Sequence, residues 1–221
     1  MVAVPAWSVV VPAKRLALAK TRLRPLTDRA ERPAAAHEAL VLALLADTVT
    51  AALDCPLVGE VVVVTDEPAA AEQVRGLGAR TVGDEPDAGL NAALEHGAAA
   101  ARGEAVAALS SDLPALRPAE LGAALAAATG APRCFVPDVH GTGTTLLTAV
   151  GTPLRPRFGA GSAQAHRADG ARALDGDWPG LLRDVDALDD LRAAVTLGVG
   201  RRTALLLDDS PTLAVHLGAA R

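Results

Sequence analysis

The chain has no tyrosine, and only two phenylalanines and two tryptophans among its 221 residues. Stacking of aromatic rings on bases, the device of single-stranded nucleic-acid binders, is thereby excluded as its working principle. Positive charge is also in deficit. The 21 basic residues face 26 acidic ones, and a net charge of −5 argues against nucleic acid or a membrane surface as partner. The two cysteines, Cys55 and Cys134, are far apart in apolar surroundings. They exclude a disulfide framework and a cysteine-ligated zinc site, and they suit a reducing cytoplasm. No apolar run is long enough for a membrane span: the longest, Ala39 to Leu53, is broken by Asp47 and Thr48. The segment Met1 to Pro12 has no basic region ahead of its apolar run, so it does not read as a secretory leader. Lysine is the scarcest charged residue. The chain has only Lys14 and Lys20, both inside one seven-residue window.

What is present is a globular composition, 50% apolar and 21% charged, which rules out a disordered chain. The length favours one domain of ordinary size, and we read residues 1–200 as that domain and 201–221 as a C-terminal tail. Apolar strands alternate with helices along it. Val9–Val11, Glu60–Thr65, Ala79–Val82, Ala105–Leu109, Arg133–Val136 and Thr145–Val150 read as strands. Helices are expected over Pro33–Leu53, Glu67–Leu77, Gly89–Ala101, Pro118–Ala128, Gly161–Asp169 and Leu188–Leu197, and Ala13–Pro25 reads as a basic loop. The apolar run Ala204–Leu207 in the tail finds no place in this pattern. Such alternation implies an α/β fold with a mainly parallel sheet and helices on both faces.

Open parallel sheets bind ligands beyond the carboxyl ends of their strands, so the turns there carry the candidate residues. After the first strand, Lys14, Arg15, Lys20, Arg22 and Arg24 follow one another with no acid before Asp28. This run reads either as a solvated basic loop or as a cradle for a triphosphate. It is not a P-loop, because GxxxxGK[ST] is absent. After the strand ending at Leu109 comes SSDLPAL, where Asp112 is either a cap or a carboxylate for a divalent cation. The next helix starts at Pro118, too late for simple capping by Asp112. In RDVDALDDL, Asp184 and Asp186 project to the same side of an extended segment and repel unless a cation bridges them. Asp186, Asp189 and Asp190 are also candidate caps of the following helix. GTGTT (141–145) and RFGAGSAQAH (157–166) are Gly/Thr/Ser-rich turns flanking a short strand. They read as a small-anion pocket, aided by free N–H groups of the helix opening at Ser162, or as an ordinary pair of turns. Asn91, after Gly89, could read a base edge, bind ribose or cap its helix. His166 lies near the anion turn, and the other histidines form no metal spacing.

The ordered set PAKRLALAKTRL, GLNAAL, SSDLPAL, GTGTT, FGxGSxxxH and DVD resembles the guanylyltransferases that make the deazaflavin coenzyme F-420, over about Val9 to Leu191. The pattern departs at residue 13, Ala where the family has Val, and the tail after Arg201 matches nothing in it. The resemblance implies a three-layer nucleotidyltransferase-like sandwich (the nucleotide-diphospho-sugar transferase fold) with a mainly parallel mixed sheet. It implies Mg²⁺ on Asp112, Asp184 and Asp186, and a small phosphorylated acid on Thr144, Gly159 and Ser162. Lys14, Lys20 and Arg22 would serve catalysis and hold GTP, together with Gly89 and Asn91. Members use phosphoenolpyruvate or 2-phospho-L-lactate as acceptor, and the Ala/Arg-rich, Lys-poor composition resembles the actinobacterial users of phosphoenolpyruvate. Two other readings remain open: a cytidylyl- or molybdopterin-type nucleotidyltransferase, and a non-enzymatic Mg²⁺- or nucleotide-binding regulatory module.

Overall fold

The computed structural model describes residues 6–13, 19–28, 30–85 and 87–210. Lys14 and Arg15 lie outside them. Strand β1 (Trp7–Pro12) is buried along its whole length. It is flanked by β2 (Val58–Val64), with β3 (Arg80–Val82) beyond, and on its other side by β4 (Ala105–Leu109). Next come β6 (Thr144–Val150), β5 (Arg133–Pro137) and the two-residue β7 (Arg172–Ala173), giving the order β3-β2-β1-β4-β6-β5-β7. All pairings are parallel except those of β6 with β4 and β5. The expected mainly parallel mixed sheet is therefore present.

Residues on the central strands alternate between the two faces, as a period of two requires. Val9, Val11, Val61 and Val63 enter one core with Val49, Leu121 and Leu125. These come from α2 (Pro33–Leu53) and α5 (Pro118–Ala128); α3 (Pro68–Leu77) adds Val74. Val10 and Val64 enter the other core with Leu94 of α4 (Leu90–Ala99), Leu147, Phe135 and Ala163 of α6 (Ser162–Ala168). These helix and strand layers make the three-layer sandwich. Among the described residues, α2 is the one helix long and apolar enough to cross a membrane, but here it is the buried core helix of one face.

A third apolar cluster ties the site's surroundings together. Leu23 ends a 3₁₀ turn (Thr21–Leu23), and Leu26 belongs to α1 (Arg24–Thr27). They pack with Leu40 and Leu44, with Leu191 of α8 (Leu188–Leu197) and with Leu207 of α9 (Arg201–Asp209). Residues read as basic loop thus include two helical turns, because Leu23 and Leu26 are buried anchors. The unplaced run Ala204–Leu207 is α9. Its first N–H groups, from Arg202 and Thr203, donate to the buried Asp47 carboxylate of α2 at 3.0 and 2.9 Å. Asp47 is therefore the cap of a helix 155 residues away in sequence rather than a flaw in an apolar run. One further short helix, α7 (Pro179–Leu182), leads into the DVD segment.

The chain runs from β1 to β2 and β3 on one side, then returns to β4 on the other. This reversal leaves a crevice at the carboxyl ends of β1 and β4, the place where open sheets bind ligands. Since β6 is antiparallel and pairs Leu146 with Leu109, its amino end opens onto the same edge.

Candidate active site

A cavity of about 730 Å³ occupies that edge. One wall carries Asp112, Asp184 and Asp186, the other Thr144, Gly159 and Ser162, with Lys20 and Arg22 also lining it.

The acidic wall is built by backbone pins. The Leu113 N–H donates to Thr48 Oγ1 at 2.9 Å, and the Val185 N–H donates to the Asp112 carbonyl at 3.0 Å. Gly200 N–H donates to the Pro114 carbonyl at 2.7 Å. Val185 is fully buried between its two acidic neighbours, so the carboxylates on either side face outward together. One oxygen each of Asp112, Asp184 and Asp186 can be chosen so that all lie within 4.8 Å of one another. Burial pushes the Asp184 carboxyl up to about 7, helped by the charges of Asp112 and Asp186. The Lys20 ammonium bridges Asp112 and Asp186, the latter at 2.5 Å. Burial opposes its charge, yet the two carboxylates hold its pKa above the ordinary lysine value. Lys20 is thus not a cation without a counter-ion, as the basic run suggested. Its counter-ions are 92 and 166 residues away. Its backbone is left-handed, at φ 51°, a conformation held only where neighbours enforce it. One such neighbour is the buried His37, whose Nε2 bonds the Ala19 carbonyl at 2.8 Å.

A compact set of three carboxylates with an ammonium drawn onto two of them is a donor set for a hard divalent cation. The competing reading of these acids as caps falls to Asp190 instead. Its carboxylate accepts from the Asp186 and Ala187 N–H groups at 3.2 and 2.9 Å.

The wall that carries Thr144 and Ser162 is uncharged at those hydroxyls, with the Asp138 carboxylate lining the cavity beside them. Thr144 and Ser162 are buried, with their hydroxyl oxygens 3.2 Å apart. His166 Nδ1 lies 3.0 Å from Thr144 Oγ1. The GTGTT turn is folded around Asp138, whose carboxylate accepts from the Thr142 N–H at 2.9 Å. A Cβ at Gly143 would sit 2.5 Å from that carboxylate, which would have to move to admit a side chain there. Gly159 has φ +131°, a backbone that side-chain-bearing residues rarely adopt.

Two expectations need correction. The first N–H groups of α6 are not free for an anion. Ser162 N–H bonds the Gly159 carbonyl, Ala163 N–H that of Thr142, and Gln164 and Ala165 N–H that of Gly161. An acid at this wall is therefore not held by the first N–H groups of α6. Asn91 and Gly89 do not line the cavity. Both ends of the Asn91 carboxamide are spent on Phe158, donating to its carbonyl at 3.1 Å and accepting from its N–H at 2.8 Å. Asn91 splints the loop carrying Gly159 rather than presenting its amide to a base.

Comparison with known proteins fits this architecture. Residues 41–178 match the MobA-like NTP transferase domain. The phosphoenolpyruvate guanylyltransferase of Geodermatophilus obscurus is 72% identical over 207 residues, spanning 94% of this chain and 96% of that one. The chain belongs to the phosphoenolpyruvate guanylyltransferase family. The family enzyme of Salinispora arenicola is 58% identical, over 90% of this chain and 92% of its own. Among solved structures, a protein assigned as a nucleotide-diphospho-sugar transferase from Desulfovibrio desulfuricans superposes with a TM-score of 0.70 at 15% identity. That match covers 96% of this chain and 98% of the other, and it places the fold with the nucleotide-diphospho-sugar transferases.

Asp138 and the partners of His166 were not singled out by sequence reasoning. Asp138 carries no local signal, since its bond to the Thr142 N–H appears only in the folded turn. His166 stood in the motif, but nothing local shows that it faces Thr144, 22 residues earlier.

Proposed function

We propose that this protein transfers GMP from GTP to phosphoenolpyruvate. The products would be pyrophosphate and enolpyruvoyl-2-diphospho-5'-guanosine, for coenzyme F-420 biosynthesis. An oxygen of the acceptor's phosphate forms a bond to the α-phosphorus of GTP. The bond from that phosphorus to the oxygen bridging to the β-phosphate breaks, and its electron pair leaves with pyrophosphate. The acceptor phosphate is already ionised near neutrality, so no side chain has to remove a proton. His166, the histidine nearest the hydroxyl wall, is occupied on both ring nitrogens.

The obstacle is the meeting of two anions. Asp112, Asp184 and Asp186 would hold Mg²⁺, which when bound supplies positive charge against phosphate oxygens. Lys20 and Arg22, with Lys14 from outside the described residues, would neutralise the nucleotide's phosphates and the departing pyrophosphate. Thr144, Gly159 and Ser162 would seat the acid's carboxylate, and fixing the acceptor in this way removes much of the entropic cost of reaction. The buried free thiols Cys55 and Cys134 suit a reducing compartment, and we place the reaction in the cytoplasm.

The observation that carries this reading is the pairing, across one cavity, of an acidic, cation-seeking wall with a neutral hydroxyl wall. A nucleotide-sensing module has no use for the second. The test is pyrophosphate release by the purified protein with Mg²⁺, GTP or CTP, and a panel of phosphorylated three-carbon acids. Release is expected only with GTP and phosphoenolpyruvate or a close analogue. Equal turnover with CTP, or none with any such acid, would overturn the proposal.

A further inference from the structure

His166 takes no part in the transfer just described, yet it is buried against the Thr144 hydroxyl of the neutral wall. It is 1% exposed. Its ring packs against Phe135 at 5.8 Å and edge-on to Phe158 at 5.3 Å between centroids. Each ring nitrogen has its own partner. The backbone N–H of Arg157 points at Nε2 at 2.9 Å, and Thr144 Oγ1 lies 3.0 Å from Nδ1. The Arg157 N–H is itself held in place, because Asn91 grips the next residue, Phe158, through both its carbonyl and its N–H.

A backbone N–H can only donate, so Nε2 must offer its lone pair. A neutral imidazole with Nε2 unprotonated carries its proton on Nδ1, and the partner there is Thr144 Oγ1. Burial, reinforced by Arg133 and Arg157 and opposed by Asp169, brings the ring's pKa down to about 4, so the ring is neutral near pH 7.

This tautomer fixes the polarity of the wall. Thr144 and Ser162 have two hydroxyl protons and share one hydrogen bond, at 3.2 Å. If His166 donates to Thr144, one of the two protons is used between the hydroxyls. The other has no protein partner among the described residues and is left for the cavity. If instead His166 accepted from Thr144, Ser162 would donate to Thr144 and Thr144 to the ring. Both protons would then be consumed, and lone pairs alone would face the ligand.

We infer that His166 is a positioning residue that compels the Thr144–Ser162 pair to present a hydroxyl proton, which tunes this wall to a carboxylate oxygen. This rests on the reading of the pair as the acid's seat. The role assigned to the histidine is to set a direction of hydrogen bonding in a site that already has the right atoms.

The test has two arms. In the first, ¹⁵N NMR of the ligand-free full-length protein at pH 7 reads the tautomer of His166, assigned by the loss of its signals in a His166 variant. The expected result is a protonated Nδ1 and an unprotonated Nε2. A ring protonated at Nε2, alone or with Nδ1, overturns the inference. In the second, His166→Asn and His166→Gln are compared by steady-state kinetics. The shorter amide can place an N–H near the Nδ1 position and still donate to Thr144. The longer one can accept from Arg157 N–H but loses the donation. His166→Gln is expected to raise the KM for phosphoenolpyruvate about fivefold, with the KM for GTP unchanged, since without a donor at the Nδ1 position nothing keeps the Thr144–Ser162 pair from turning its spare proton away from the cavity. His166→Asn should recover most of that loss. Equal acid KM values in the two variants overturn the inference. The two claims separate cleanly. If Ser162→Ala raises the acid's KM while the two His166 variants do not differ, the seat stands and the histidine's role fails. If Ser162→Ala leaves that KM alone, the seat itself fails, and the NMR result still judges the tautomer.

Discussion

The two walls of the cavity solve the same problem, polar groups beside a buried core, in opposite ways. On the acidic wall three carboxylates face one ammonium, and burial drives Asp184 toward its protonated form, up to about 7. On the neutral wall burial drives His166 toward its unprotonated form, down to about 4. In both cases the uncharged state is favoured, as desolvation requires. The outcomes differ because the neutral wall closes all but one of its hydrogen bonds internally, through Arg157, His166, Thr144 and Ser162. The acidic wall cannot balance its charge with the lysine alone. One wall is ordered and keeps a single hydroxyl proton to offer; the other carries more negative charge than its lysine offsets. Chemistry that joins two phosphates needs the adaptable charge on one side and fixed orientation on the other.

The sharpest way to break this contrast is to remove charge from the acidic wall. Asp112→Asn changes size little, and transfer should fall about a hundredfold or more, since a metal supplies several kcal/mol of charge stabilisation. The metal-free melting temperature should hold or rise, because repulsion is relieved. Wild-type turnover in this variant would show that Asp112 does not serve a metal. A smaller effect is expected on the neutral wall from a change of acceptor. Phosphoenolpyruvate and 2-phospholactate share carboxylate and phosphate and differ mainly in shape, so discrimination should amount to about 1–3 kcal/mol. Competition assays should find 2-phospholactate a poor substrate or a competitive inhibitor. Absolute exclusion would mean that the wall reads more than the carboxylate.

Lys20→Ala tests the claim that the ammonium balances the trio. GTP binding or transfer should weaken, and the melting temperature should drop without divalent metal and recover when Mg²⁺ is added. Identical melting with and without Mg²⁺ would disconnect Lys20 from the acids. The smallest effect concerns protons on the other wall. The folded-state pKa of His166 lies below the ordinary value of 6.5, so its contribution to stability is intact above 6.5 and is lost as pH falls toward about 4. Asp169, Arg133 and Arg157 face the ring and tune this window. The melting temperature of the wild type should therefore fall more between pH 7 and pH 5 than that of His166→Asn. Parallel curves would deny His166 any part in acid sensitivity.

Much of this arrangement was legible in the sequence wherever the signal is local. Pro33 and Leu53 bound α2 as read, since a proline suits the first helical turn and the apolar period ends at Asp54. SSDLPAL announced a carboxylate at a strand end, and DVD a pair of them on one side of an extended segment. What escaped depends on partners far along the chain. The cap of α9 is Asp47, and the counter-ions of Lys20 are Asp112 and Asp186. Asn91 meets Phe158 across 67 residues. The N-terminal turn of α6 looked like an anion site, because only the folded turn shows its N–H groups bonded to Gly159, Thr142 and Gly161. Spacing reveals which face a residue occupies, but not what the rest of the chain brings to it.

The division of labour between the walls is tested most directly by steady-state kinetics of Ser162→Ala, with GTP saturating and the acid varied, then the reverse. Ser162 lies on the neutral wall, so its loss should raise the KM for phosphoenolpyruvate and for 2-phospholactate together, by about tenfold or more, with the KM for GTP unchanged. A raised KM for GTP with untouched acid kinetics would assign the hydroxyl wall to the nucleotide and contradict the account.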